Sequence, residues 1–228
     1  MAKISIVIPA LNEELGIVRT IQAIPVQELE NIGHRVQVIV IDNGSNDRTS
    51  ELARSAGAEV ILEPIRGYGK AYKKGFSIAK GDIIVTVDAD LTYPIEDIPK
   101  LVILLEQEKL DFITTNRFAY MKDGVMSQRN RFGNNVLNLT TRLLFNISLK
   151  DTQSGMWIFR KSILDSLLLR SNGMPFSEEL KLEICYYNRY CWKEVPIEYR
   201  VRVGEIKLRG WRDGLENLFY LVRKRIIR

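Results

Sequence analysis

The chain has 228 residues, of which 46% are hydrophobic and 27% charged, the make-up of an ordinary globular protein with one domain and a sizeable core. Its net charge of +5 suits a nucleic acid, an anionic membrane or a phosphate-bearing substrate, and by itself chooses none of them. No stretch approaches the roughly 20 apolar residues that span a bilayer. No low-complexity tract or internal repeat is present, and the two cysteines, Cys185 and Cys191, with a single distant histidine, His34, do not make a zinc set. The opening residues run from a short apolar stretch straight into a charged helical pattern, unlike a signal peptide. A cytoplasmic protein, touching a membrane only at its surface, is the expectation.

In the first half, strands alternate with helices. Ile4 to Ile8 is a β-branched run ended by Pro9, and Glu13 to Ile24 has helical spacing. Val36 to Ile41 is a second strand, stopped by the turn residues Asp42, Asn43 and Gly44. Asn46 or Asp47 then caps a helix to about Ala56. Glu59 to Leu62 reads as a strand, Gly69 to Ala79 as a helix, and Ile83 to Val87 as the most strand-like run of all. A helix over Asp97 to Glu108 and a strand over Phe112 to Thr115 complete this half. In the second half, helices are expected over Asn134 to Asn146, Glu178 to Tyr190 and Trp211 to Ile227, and strands over Met156 to Phe159 and Val195 to Val201. The interleaving predicts an α/β fold, a mostly parallel sheet with helices on both faces.

In such sheets ligands sit beyond the carboxyl ends of the strands. Three strand ends carry polar groups: Pro9-Ala10-Leu11-Asn12-Glu13, Asp42-Asn43-Gly44-Ser45-Asn46-Asp47, and Asp88-Ala89-Asp90. One composite site is the expectation. Asp88 and Asp90 follow a buried strand at i and i+2, a spacing that puts both carboxylates on one face of extended backbone. Two like charges so close call for a cation. Oxygen ligands favour Mg²⁺ or Mn²⁺, which take their remaining ligands from phosphates and water. Arg66-Gly67-Tyr68-Gly69-Lys70-Ala71 opens a helix whose free N–H groups suit a phosphate, with Lys70 near a nucleotide donor. It is not a P-loop, because Ala71 stands where Ser or Thr should follow Gly-Lys. Arg117, Arg129, Arg131, Arg202 and Lys207 supply cations in the second half, and Arg forks match phosphate oxygens.

These segments, together with Asp151-Thr152-Gln153-Ser154-Gly155 and the run from Glu194 to Leu208, resemble the family 2 glycosyltransferases of the GT-A fold. Within them the similarity is greatest to the polyprenyl-phosphate (dolichyl-phosphate) hexosyltransferases. The resemblance implies a Rossmann-like domain over residues 1–208, with 209–228 a basic amphipathic helix. It also implies metal-dependent, inverting transfer of a hexose from a nucleotide sugar to a lipid phosphate. By the same resemblance Pro9, Ala10, Leu11, Asn12, Glu13, Asp42, Gly44 and Lys70 would bind the donor, and Asp88, Ala89 and Asp90 its diphosphate. Asp88 and Asp90 would carry the metal. Arg117, Arg131 and Arg202 would hold the acceptor phosphate, with Lys207 near the donor or acceptor phosphates, and Asp151 and Glu179 would orient acceptor or metal shell. The sequence departs from the family where relatives often have Gln or His soon after the second aspartate, since Leu91-Thr92-Tyr93 stands here. Ile206 replaces a usual Ser.

A lipid phosphate needs no strong base, because its second pKa is near 6 and it is largely dianionic at neutral pH. A saccharide or protein hydroxyl acceptor would need one and is the alternative. The last helix, with Trp211, Leu215, Leu218, Phe219, Val222 and Ile226 at helical spacing among Arg212, Arg223, Lys224, Arg225 and Arg228, suits a membrane interface. A separate membrane partner could supply a further anchor. Nucleic acid is not expected, since aromatics are not interleaved with the basic tail as stacking platforms would be.

Overall fold

The computed structural model describes residues 2–205, 207 and 210–227. Ile206, Leu208 and Arg228, singled out above, lie outside them. The strands are β1 (Lys3–Ala10), β2 (Arg35–Asp42), β3 (Glu59–Leu62), β4 (Ile83–Thr86), β5 (Phe112–Asn116), β6 (Trp157–Arg160) and β7 (Trp192–Pro196). They form one sheet in the order β3-β2-β1-β4-β6-β5-β7. Only β6 runs antiparallel, wedged between β4 and β5.

The helices are α1 (Ile17–Gln22), α2 (Val26–Asn31), α3 (Thr49–Ser55), α4 (Tyr68–Ile78), α5 (Ile98–Gln107), α6 (Gln128–Phe145), α7 (Phe176–Leu182) and α8 (Gly210–Ile226). Alternate residues of each central strand face opposite layers. Ile4, Ile6 and Ile8 with Ile83, Val85 and Val87 pack under α1, α2, α3 and α5. Val7, Ile39, Ile41 and Ile84 pack with α4 and α7 on the other face. That second layer is centred on Tyr72, whose ring lies 4.9 Å from Trp157 and 5.8 Å, stacked, from Phe176.

Several boundaries differ from the sequence reading for identifiable reasons. The first helix begins at Ile17 instead of Glu13, because residues 11–16 form a turn that opens with Asn12 in the left-handed region. Helix α6 starts six residues earlier than its apolar stripe, at Gln128, where Ser127 accepts a hydrogen bond from the Asn130 amide. The helix after Phe176 gives way to a π turn over Glu183–Tyr187. The last strand ends at Pro196, and residues 197–205 leave the sheet to cross its carboxyl edge. Helices α6 and α8 lie side by side in the same direction. Arg129 sits 4.8 Å over the Trp211 ring at their starts, and Arg225 donates to the Leu144 carbonyl at their ends.

Candidate active site

The three polar strand ends are stitched into one surface by short hydrogen bonds. Asn12 donates its amide N–H to the Ser45 hydroxyl at 2.9 Å and accepts from the Asn46 amide at 2.8 Å. Buried Asp42 closes its own turn by accepting from the Ser45 amide and the Ser50 hydroxyl. The Gly-rich loop joins the same surface, since the Gly67 amide donates to Asn43 at 2.7 Å and Arg66 to the Gly44 carbonyl at 3.2 Å. Gly44 holds φ at +83°, a conformation that favours glycine. Lys70 is half-buried beside this surface on the first turn of α4. Pro9 and Ala10 end β1, and Leu11 continues into the turn that carries Asn12 and Glu13.

Asp88 follows the end of β4 and Asp90 lies in the turn after it, so the pair is not carried on one stretch of extended strand. Asp90 is buried and takes the Thr92 hydroxyl at 2.6 Å and the Arg202 guanidinium at 2.6 Å. Arg202 also grips Glu13, and Lys207 reaches Glu13 at 2.6 Å and the Asn12 carbonyl at 2.5 Å. Arg202 rides on the crossing segment, which is laid along the 90–92 turn by Arg200 N–H to Thr92 O and Val203 N–H to Asp90 O. Arg202, expected at an acceptor phosphate, is paired with Asp90 and Glu13.

Asp88 makes no hydrogen bond or ion pair among the described residues. Burial, then the nearby Asp90 charge, pushes its carboxyl up to about 7, against the pull of Arg202 and Arg117. Burial likewise raises Glu13, whose Oε2 is enclosed without a partner. Among the described residues no three His, Cys, Asp or Glu side chains meet as a ready-made metal set. Two carboxylates are nonetheless what Mg²⁺ or Mn²⁺ usually takes from a protein when a phosphate ligand completes the shell. The open Asp88 oxygens fit that demand.

Gly155 explains why no side chain fills the space beside Asp88. A Cβ there would lie 2.7 Å from the Tyr68 hydroxyl and 3.4 Å from Asp88 Oδ1. The Gly155 amide is held by the Tyr93 hydroxyl at 2.7 Å, and its carbonyl by Thr86 at 2.7 Å. Tyr68 and Tyr93 were not singled out in the sequence, although both stand inside motifs that were.

Arg117 emerges from the end of β5 and is paired with Asp151 through Nε at 2.7 Å, Nη2 at 2.8 Å and its own backbone amide at 3.0 Å. Burial alone would raise the Asp151 carboxyl, yet the Arg117 charge and hydrogen bonds bring it below the usual range. Tyr199 lies under the guanidinium at 5.3 Å. Arg131 is not drawn into this group. It is exposed on α6, while its neighbours Asn130 and Phe132 line a cleft. Glu179 is buried away from Asp88 and Asp90, accepting from the Ser171 amide at 2.7 Å.

The cleft has a volume of about 310 Å³ and lies between α6, α8 and the crossing segment. Arg117, Arg202 and Thr92 form one end, and Val136, Leu137 and Leu218 line its apolar walls. A basic end, an acidic turn and an apolar cleft thus share one edge of a GT-A sheet, the arrangement of a glycosyltransferase.

Residues 5–168 match the model of the family described as glycosyl transferase family 2, and the chain belongs to that family. It is 32% identical over 221 residues to the low-salt glycan biosynthesis hexosyltransferase Agl6 of Haloferax volcanii, covering 96% of this chain and 53% of that one. It is 34% identical over 180 residues to a dolichyl-phosphate hexose transferase of the same organism, covering 79% of this chain and 77% of the relative. The chain therefore spans about half the length of the first relative. Glucosyl-3-phosphoglycerate synthase from Mycobacterium tuberculosis, crystallised with Mn²⁺, uridine diphosphate and glucosyl-3-phosphoglycerate, superimposes with a TM-score of 0.74 at 25% identity, over 98% of this chain and 80% of that one. The same enzyme with phosphoglyceric acid gives 0.79 at 22% identity, a likeness of fold.

Proposed function

We propose that the chain transfers a hexose from a nucleotide sugar to a polyprenyl phosphate, inverting the anomeric carbon. The observation that carries this reading is the junction of Arg117 and Arg202 with an apolar cleft beside the Asp88–Asp90 turn. A dianionic phosphate with a long hydrocarbon tail matches both halves of that junction. The names of the Haloferax relatives point the same way.

In this reading the turns at Pro9–Glu13 and Asp42–Gly44 hold the nucleoside, and Lys70 lies near the donor. Asp88 and Asp90 would hold a Mg²⁺ or Mn²⁺, which supplies charge neutralisation for a departing diphosphate. Arg117 and Arg202 hold the acceptor phosphate against the donor, with Arg131 at the cleft rim and Lys207 by the donor. A phosphate oxygen attacks the anomeric carbon while the bond to the diphosphate oxygen breaks, and the nucleoside diphosphate leaves with that electron pair. No general base is required of Asp151, whose carboxylate is committed to Arg117, or of Glu179. Asp151 orients Arg117, and Glu179 serves the packing of α7.

The test is a donor screen with a short polyprenyl phosphate and Mn²⁺ or Mg²⁺, following lipid-linked product by mass spectrometry. A polyprenyl-phosphate hexose from one donor is the expected result. Donor binding with transfer only to a sugar hydroxyl would overturn the acceptor assignment.

The acceptor is presented at a membrane surface. Helices α6 and α8 expose Leu143, Phe219 and Ile226 at 75%, 70% and 75%, with Trp211 and Leu215 on the same helix and Arg131, Arg142, Arg212 and Arg223 around them. No helix among the described residues is long and apolar enough to cross a membrane. Removing α8 is a poor test, because Leu221 and Lys224 are buried against the domain. The double substitution Phe219→Ser and Ile226→Ser is expected to keep the fold and to cut sedimentation with anionic vesicles at least about tenfold, in line with roughly 0.8 kcal/mol per buried methylene.

A further inference from the structure

Between the donor turn and the acceptor arginine runs the segment 151–155. Its first residue, Asp151, holds Arg117, and its last, Gly155, abuts Asp88. Four residues span at most about 14 Å, so the middle of the segment lies close to both Arg117 and Asp88. The middle residue is Gln153. Its side chain lines the cleft that Arg117, Arg202 and Thr92 close. Its amide Nε2 is pinned to Glu178 Oε1 at 2.5 Å, and its backbone N–H to Asp151 Oδ1 at 3.2 Å.

Glu178 is an unusual partner. It is 1% exposed, sits on the first turn of α7, and its second oxygen has no hydrogen-bond partner. Burying a carboxyl without full pairing is costly, and burial raises the Glu178 carboxyl well above its ordinary range against the pull of the buried Lys181 charge. A buried acid that fixes the rotamer of a glutamine at a cleft wall makes sense if the glutamine must be held in one orientation. A carboxamide so held offers both a donor and an acceptor, the complement of a sugar hydroxyl.

We propose that Gln153, held by Glu178, reads a hydroxyl of the transferred hexose and sets which sugar epimer the enzyme accepts. Gln153 touches the sugar, and Glu178 is a positioning residue acting through it. The proposal rests on the transferase reading above and adds the sugar-reading group. Sites built to bond a particular hydroxyl discriminate strongly against substrates that cannot make the bond, because the site's polar group is left unpaired.

The test compares binding with turnover. Affinities are measured by calorimetry, with Mn²⁺, for UDP, GDP, UDP-glucose, UDP-galactose and GDP-mannose, on the parent, Gln153→Leu, Glu178→Leu and Glu178→Gln, with folding checked by circular dichroism. Gln153→Leu is expected to leave UDP and GDP binding within about twofold, and to reduce the preference between sugar epimers by at least tenfold. Glu178→Leu should act in the same direction, and Glu178→Gln, which keeps an acceptor for the amide, should restore most of the preference. Unchanged epimer preference in folded Gln153→Leu overturns the proposal, as does an equal loss of UDP, GDP and sugar-nucleotide binding. Because these readouts need no acceptor, a failure of lipid-phosphate transfer would sink the acceptor reading and leave this result standing.

Discussion

Replacing either Asp88 or Asp90 with alanine is expected to lower turnover by about a thousandfold or more at saturating donor, measured as product formed at several Mn²⁺ concentrations. Stabilising charge on a leaving diphosphate is worth several kcal/mol, and each 1.36 kcal/mol is a factor of ten. Near-normal rates in either variant at saturating metal would remove the pair from that role. The same pair yields an opposite effect on stability. In the folded chain without metal the Asp88 carboxyl lies up at about 7, above its ordinary value of 3.8. Between those two values the unfolded chain has already released the proton that the folded chain keeps, so stability falls as pH rises through this window. Asp88→Asn removes the loss. At pH 8 and without metal its melting temperature should exceed the parent's by a few degrees, and the gap should shrink as pH falls toward 4. A variant that is inactive yet more stable is the mark of a strained charge kept for function. A variant no more stable at pH 8 would show that Asp88 is not under that strain.

The parts legible in the sequence were those written in local pattern. The β-branched runs of β1, β2 and β4 and the turn residues after them announced a parallel sheet with a polar carboxyl edge, and the edge is there. Much of what could not be read was set by contacts across more than 60 residues. Tyr93 holds the Gly155 amide, and Arg202 bridges Glu13 and Asp90 from the far end of the chain. Arg202 was expected at a phosphate, and its pairing with two carboxylates more than 100 residues away has no local sign. The pairing of Gln153 with Glu178 has no local signature at all, since a glutamate at the start of a helix is ordinary N-terminal chemistry. The antiparallel β6 was equally hidden, because the short apolar run Met156 to Phe159 has the same composition in either direction.

Asp151→Ala should be the most destabilising single change at the site. Asp151 is fully buried, and its carboxylate takes three hydrogen bonds from Arg117, while Lys181 donates to its carbonyl at 2.7 Å. Removing one partner of such a pair leaves an uncompensated buried charge, which costs about 3–5 kcal/mol. For a domain of this size each kcal/mol moves the melting temperature by about 2–4 °C, so a fall of roughly 10 °C is expected in a thermal melt. Arg117→Met takes away the other partner, yet leaves a carboxylate still facing the Lys181 charge, so its fall should be smaller. The double variant should recover part of the loss, because an apolar replacement of a whole buried pair is often neutral. Activity separates the roles. Arg117→Met should raise the KM for polyprenyl phosphate far more than the KM for the donor, whereas Asp151→Asn, which keeps the shape and one acceptor oxygen for Arg117, should retain folding and lose acceptor affinity only in part. If Arg117→Met raised both KM values equally, the arginine would be a structural strut, and the acceptor phosphate would have to be assigned to Arg202 and Arg131 instead.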